Sequence, residues 1–314
     1  MTTPRFVHLR LHSEFSITDG IVRLDEAVGR AVADGMPALG LSDLANLFGM
    51  VKFYKACRGK GVKPVVGADV WVENPDDADA PFRLLLLARN RDGYLTLCQL
   101  LTDAYRTNQR HGRAEIKRDW LTPERCRTLL ALSGAHMSDV GRALLDGQLP
   151  VAQAAARDWA ARFGDGFYLE IQRYGAPHCG TLVERTLWLA GETGLPVVAT
   201  HPVQFMHRDD HKAHEARVCI AKGEILGDRR RARLFTEEQY FKSTAEMAEL
   251  FADLPEALAN SVEIAKRCNV TIQLGKNYLP DFPTPDGMTL DDYLIHRANE
   301  GLVERMQALY PDPA

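Results

Sequence analysis

Short apolar runs alternate with helical patterns through the first two hundred residues, and no other feature of the sequence restricts the fold as much. Such alternation is the mark of β/α units built around a largely parallel sheet. Strands are expected at 5–11, 37–42, 63–72, 82–88, 128–133, 167–172 and 196–200. Between them, Leu47, Met50, Val51, Tyr54 and Cys57 recur at helical spacing, and Tyr94, Leu97, Cys98, Leu101, Ala104 and Tyr105 do so again. Gly35 and Gly194 fall where helix C-caps belong. Seven strands with intervening helices predict a distorted (β/α) barrel, with functional groups on the loops that follow the strands.

Beyond residue 205 the pattern turns helical, at 208–222, 244–252 and 255–267. Prolines at 280, 283 and 285 mark an extended connector, and a last helix is expected from Thr289 to Leu309. We therefore divide the chain into a barrel domain with packed helices, 1–275, and a connector with its helix, 276–314.

The 38 basic and 42 acidic residues leave a net charge of -4, which provides no domain-wide positive field for nucleic acid. The six cysteines are dispersed and form no C-x-x-C pair, as expected of a cytoplasmic protein without a zinc ribbon or disulfide framework. No apolar run approaches the ~20 residues of a membrane helix.

The segments RFVHLRLHSEFSITDG (5–20), PALGLSDLANLFGMVKFY (37–54), KPVVGADV (63–70), ALSG (131–134), PVVAT (196–200) and PEALANSVEIAKRCNV (255–270) carry a family resemblance. In order, they resemble the PHP (polymerase and histidinol phosphatase) domain that opens the alpha subunits of bacterial replicative polymerases, the DNA polymerase III family. The stretch 277–302 is similar to that family's passage toward the palm and thumb. The resemblance implies a PHP-type barrel that buttresses the polymerase and docks the proofreading exonuclease subunit. It also places the polymerase aspartates, their Mg2+ and most DNA contacts beyond this chain.

Metal-bearing PHP domains resemble amidohydrolase-like barrels that hold several divalent ions on His, Asp, Glu and Cys ligands for phosphoester hydrolysis. Mapped onto this chain, the family's His-x-His motif becomes Arg10-Leu11-His12, and Asp19 matches the following carboxylate. Asp43 keeps the acid of an Asp-His pair, and Leu44 stands where its histidine would be. Asp69 replaces a glutamate, Arg83 a histidine and Ala135 a cysteine; Pro202 and Gln204 occupy the closing Asp and His positions. A guanidinium cannot act as a ligand. The expectation is a vestigial, metal-free cleft, with Arg10 and Arg83 neutralising the remaining aspartates. The alternative is a residual metal-dependent phosphoesterase or pyrophosphatase using His12, Asp19, Asp43 and Asp69.

Other features read more plainly. His207, His211 and His214 share a helical spacing, but Arg208 stands where H-E-x-x-H requires glutamate, so a surface or partner-facing helix is expected. His201 is read as a polar cleft residue, Glu170 as an isolated carboxylate without catalytic neighbours, and Asp76, Asp77 and Asp79 as an exposed turn. Arg229, Arg230, Arg231 and Arg233 are read as a solvated loop.

Overall fold

Eight strands form one mixed sheet in the computed structural model, which describes residues 6–228, 230–277, 279–285 and 287–311. They are β1 (Ala38–Leu41), β2 (Lys63–Val72), β3 (Phe82–Ala88), β4 (Gln109–Arg110), β5 (Arg113–Ile116), β6 (Leu129–Leu132), β7 (Phe167–Gln172) and β8 (Val197–Thr200). Their order is β4-β5-β2-β3-β6-β7-β8, with β1 on the amino-terminal half of β2. Arg5 of the first expected strand, Arg229 of the arginine run, Tyr278 and Asp286 of the connector, and the terminal 312–314 lie outside the described residues.

The fold is mixed α/β with helices packed on a central sheet. The sheet is less parallel than the alternation suggests. β1–β2, β2–β5, β6–β7 and β7–β8 are parallel, whereas β2–β3, β3–β6 and β4–β5 are antiparallel. The cause is local: β2 and β3 are joined by a short exposed turn containing Asp76, Asp77 and Asp79, with no crossover helix to return the chain in the same direction. Leu84 to Leu87 of β3 are each 1% exposed or less, so both faces of this strand are covered. Each such leucine contributes roughly 1.5–3 kcal/mol by leaving water.

The first expected strand is an extended segment rather than a regular one. Gly40 N donates to His8 O and Ser42 N to Leu11 O on one side, while His12 N donates to Val203 O on the other. Side chains interrupt the ladder: Leu11 N donates to Ser42 Oγ at 3.0 Å and Val7 N to Ser261 Oγ at 3.1 Å. The segment thereby links β1 with the chain that follows β8. A side chain at Gly40 would meet the Leu9 backbone at 2.8 Å, so this approach requires glycine.

The helix Met50–Gly59 buries Met50, Phe53, Tyr54 and Cys57 but exposes Val51, and Arg91–Thr107 buries Leu97, Leu100, Leu101 and Ala104 but exposes Tyr105. In both, one expected contact lies just off the apolar stripe, whose true centre is Phe53 or Leu100. The helices His211–Lys222, Thr244–Leu250 and Pro255–Arg267 follow, the last at its expected limits.

The structure divides into units Met1–Thr271 and Ile272–Ala314. In the second, Thr289 Oγ1 caps the helix Leu290–Leu309 by accepting from Asp292 N at 3.2 Å. Phe282 stacks on Tyr293 with ring centroids 5.9 Å apart. Among the described residues, no helix is long and apolar enough to cross a membrane.

Candidate functional site

The extended segment 6–12 and the ends of β2, β3 and β7 surround a cavity of about 670 Å3. Arg10, His12, Asp19, Asp69, Arg83 and Gln204 line it, as do Leu44 and Pro202. Asp43 and Ala135, also expected in the cleft, are buried but do not line the cavity.

Asp69 is fully buried and takes two guanidinium groups on one oxygen: Arg10 Nη1 and Arg83 Nη2 both donate to Oδ2. The other two nitrogens of Arg10 grip Glu170, Nε to Oε1 at 2.8 Å and Nη2 to Oε2 at 2.9 Å. This is the fork-on-fork geometry that suits arginine to a carboxylate. Glu170 also accepts from Gly134 N at 3.0 Å, Thr200 Oγ1 at 2.5 Å and Gln172 Nε2 at 3.1 Å. On its other side, Arg83 packs against Trp71, with its guanidinium carbon 4.4 Å from a ring centroid.

His12 connects this cluster to Asp19. Its Nδ1 lies 3.0 Å from both Asp19 oxygens, and Nε2 lies 3.3 Å from Asp69 Oδ2 without hydrogen-bond geometry. Burial by itself would depress the imidazole pKa, but the facing Asp19, with Asp69 beyond it, raises it to about 9. His12 is therefore a cation at neutral pH. Burial penalises the Asp69 carboxylate, yet Arg10 and then Arg83 outweigh that and hold its pKa far below the usual range. Three cations, Arg10, Arg83 and His12, thus meet three carboxylates, Asp19, Asp69 and Glu170. A charge-balanced cluster of this kind can survive burial because each ion is paired.

Asp43 stands apart. Ser13 N donates to its Oδ1 at 2.6 Å and Ser13 Oγ to its Oδ2 at 2.9 Å, and among the described residues no arginine pairs with it. Burial raises its pKa to about 6 despite those bonds. The four acidic or imidazole side chains that the alternative enzyme needs are therefore split between an ion-paired group and a serine-bound aspartate. Among the described residues, no three His, Cys, Asp or Glu side chains converge as a metal site. Two guanidiniums on Asp69 add positive charge where a metal cluster requires negative ligands, so the residues present do not fit such a cluster.

Three readings from the sequence need correction. Glu170 is not isolated; its partners come from segment 6–12, β8 and the turn after β6, and sequence spacing could not reveal them. His207, His211 and His214 do not share a surface face: His207 pairs with Glu26 at 3.1 Å, whereas His214 is fully buried and its Nε2 lies 2.6 Å from Asp19 O. His201 is core rather than cleft, completely buried beside His8, with Nε2 3.0 Å from Tyr240 O. In the arginine run, the Arg231 side chain is only 4% exposed and pairs with Glu215, Arg230 pairs with Asp228 at 3.1 Å, and Arg233 reaches the cavity rim.

Elsewhere on the cavity wall, Tyr174 OH lies 2.9 Å from His178 Nε2 and 3.2 Å from His136 Nδ1. Sequence reasoning singled out none of these three residues.

The PHP domain family matches residues 8–174. Across its whole length the chain is 56% identical to DNA polymerase III subunit alpha of Neisseria meningitidis serogroup A, of which it spans 28%. It is 47% identical to the same subunit of Escherichia coli K12 over 99% of this chain and 27% of that one. The chain thus spans little more than a quarter of the relatives it matches. Among solved structures, an amidohydrolase from Chromobacterium violaceum with bound sulfate and no metal is 14% identical, with a TM-score of 0.44 over 67% of this chain and 96% of that one.

Proposed function

Because the chain belongs to the PHP domain family, in the form found in the amino-terminal region of DNA polymerase III alpha subunits, we propose that it is a metal-free structural and interaction platform of a replicative DNA polymerase. The observation that carries this reading is the pair of guanidiniums, Arg10 and Arg83, on Asp69. Positions that hold ions in a phosphoesterase are here filled by side chains whose charges cancel within the protein. The cleft then contributes rigidity instead of Lewis acidity.

In this reading residues 1–275 form the platform and 276–314 lead toward the palm and thumb. Nucleotidyl transfer, its Mg2+ and most DNA contacts belong to the rest of a cytoplasmic alpha chain. The platform docks the proofreading exonuclease subunit. The net charge of -4 supports a protein partner over nucleic acid as its main ligand.

Two measurements on the purified chain test the proposal. Titration with MnCl2 should give no stoichiometric heat, and p-nitrophenyl phosphate should release no product above a buffer blank. Stoichiometric Mn2+ uptake together with turnover, lost in Asp69→Asn, would establish the phosphoesterase alternative. The exonuclease subunit of the same organism should co-elute with the chain in gel filtration, and separate elution of two folded proteins would count against docking.

A further inference from the structure

The charges inside the cavity are matched, whereas two at its mouth are not. Asp19 and Asp69 are the two carboxylates among its lining residues, and His12 takes up the first while Arg10 and Arg83 take up the second. Lys222 and Arg233 also line the cavity and are exposed. Among the described residues, neither side chain has a hydrogen bond or an ion pair. A chain of net charge -4 thus gathers two uncommitted cations, and no uncommitted carboxylate, around one opening.

Behind that rim much of the wall is apolar, with Trp71, Met137, Val218 and Phe235 among its residues. Leu234, on the lip beside Arg233, is 57% exposed. The His136–Tyr174–His178 cluster adds no charge at neutral pH: burial, ahead of the neighbouring cations, lowers the His136 pKa to about 4, and burial also lowers His178 and raises the phenol. A space of about 670 Å3 is large enough to enclose a ligand or a few side chains.

Two buried polar atoms on lining residues have no partner. Arg83 Nε, on a residue 7% exposed, has no acceptor, and Gln204 Oε1, on a residue 4% exposed, has no donor. Leaving such groups unpaired is costly, so an occupant that pairs them is favoured. A bare anion would answer only the arginine. A peptide offers C=O and N–H in turn and answers both.

We propose that the mouth of this cavity is a docking site for a protein segment, which sets an apolar side chain and part of its backbone inside, within reach of Arg83 and Gln204, and a carboxylate on Lys222 and Arg233. This placement rests on the platform role given above and adds to it the face that is used and the chemistry of the segment received. Two separate cations beside apolar walls suit such a segment better than a nucleic-acid strand, whose recurring phosphates need a row of charges. The ion cluster of Arg10, Arg83 and Asp69 then serves as the rigid floor of the site.

The test uses the exonuclease subunit of the same organism as partner and anilinonaphthalene sulfonate, an apolar anion, as a fluorescent reporter of the cavity. Calorimetry should show the subunit binding the wild-type chain, and Lys222→Glu or Arg233→Glu should weaken it at least about tenfold by bringing like charges together. Arg157→Glu, exposed on the helix Leu149–Phe163 and outside the cavity, should leave binding unchanged. Raising NaCl from about 0.1 M to about 1 M, which shortens the screening length from about 10 to 3 Å, should weaken the wild-type complex. The dye should fluoresce with the wild-type chain and be displaced by the subunit but not by a single-stranded oligonucleotide. A subunit that does not bind the wild-type chain would overturn the platform role and the docking site together. Binding that survives both charge reversals, a dye that stays dark or is not displaced by the bound subunit, or displacement by the oligonucleotide would each overturn the docking site alone.

Discussion

Arg10 grips both carboxylate oxygens of Glu170, at 2.8 and 2.9 Å, across 160 residues of sequence. The same guanidinium also reaches Asp69, so one side chain ties the first segment of the fold to β2 and β7. Removing it strands two buried carboxylates. Arg10→Met should destabilise the chain by about 3–5 kcal/mol. Urea denaturation followed by circular dichroism measures this, and adding Glu170→Gln should recover part of the loss because the two residues are directly coupled. A loss below about 1 kcal/mol, the ordinary effect of a surface substitution, would show that the pair does not stabilise the fold.

Asp69 and Asp43 belong to neighbouring stretches of the same motif set but should respond oppositely. Asp69→Asn leaves Arg10 and Arg83 short of a counter-charge in a buried place, and a loss of at least about 3 kcal/mol is expected. Asp43→Asn removes a charge that burial already disfavours, with its pKa raised to about 6, so its cost should stay near 1 kcal/mol. Parallel melts of the two variants compare them, and equal losses would contradict the assignment.

The pH profile of stability should fall on both sides of neutrality. His12, raised from 6.5 to about 9, stabilises the fold fully below pH 6.5, and that contribution disappears as the pH climbs to about 9. The full loss is on the order of 3 kcal/mol. His8 behaves in the opposite sense: burial lowers it to about 4, so its contribution is intact above pH 6.5 and is lost as the pH drops toward 4. Each such histidine gives a slope of at most about 1.4 kcal/mol per pH unit. His201, buried beside His8 and also lowered, steepens the acid limb. Denaturation midpoints across pH 5 to 9 should lose their alkaline limb in His12→Gln and flatten on the acid side in His8→Gln.

Gly134 supplies an N–H to Glu170 from a left-handed backbone at φ 82°. Gly134→Ala would force its Cβ to within 2.2 Å of Arg83 O, and the strain falls on the turn that carries both the ion cluster and His136. A destabilisation of about 2–4 kcal/mol is expected, read as a lowered melting temperature, because rigid backbone rather than a flexible side chain blocks the space.

Helix limits and central strands were legible in the sequence because they follow from periodicity. β2, β3 and β7 lie where expected, and Pro255–Arg267 begins at the proline that marks it. The direction of β3 was not legible, since alternation cannot distinguish a turn from a crossover unless the connection is long enough to be a helix. At the site, Arg10 and Arg83 stood out because each replaces an imidazole in a recognised motif. Glu170 and His214 did not, because what matters for each is a partner more than a hundred residues away: Arg10 for the one, the Asp19 carbonyl for the other. The short β4–β5 hairpin carries too few apolar residues to register as a strand pair.

The extended segment 6–12 has a consequence for how the chain is made. It is synthesised well before its partners: one of its two flanks is supplied by residues near 203, and His12 and Gln204 are separated by 192 positions. A ribosome must therefore deliver nearly two-thirds of this sequence before its opening residues can be enclosed. Until then Phe6, Leu9 and Leu11, all 1% exposed or less in the finished fold, have only part of their cover. Vectorial synthesis thus leaves segment 6–12 waiting for portions of the chain made much later, a long-range closure of the kind that slows folding and prolongs the exposure of apolar surface.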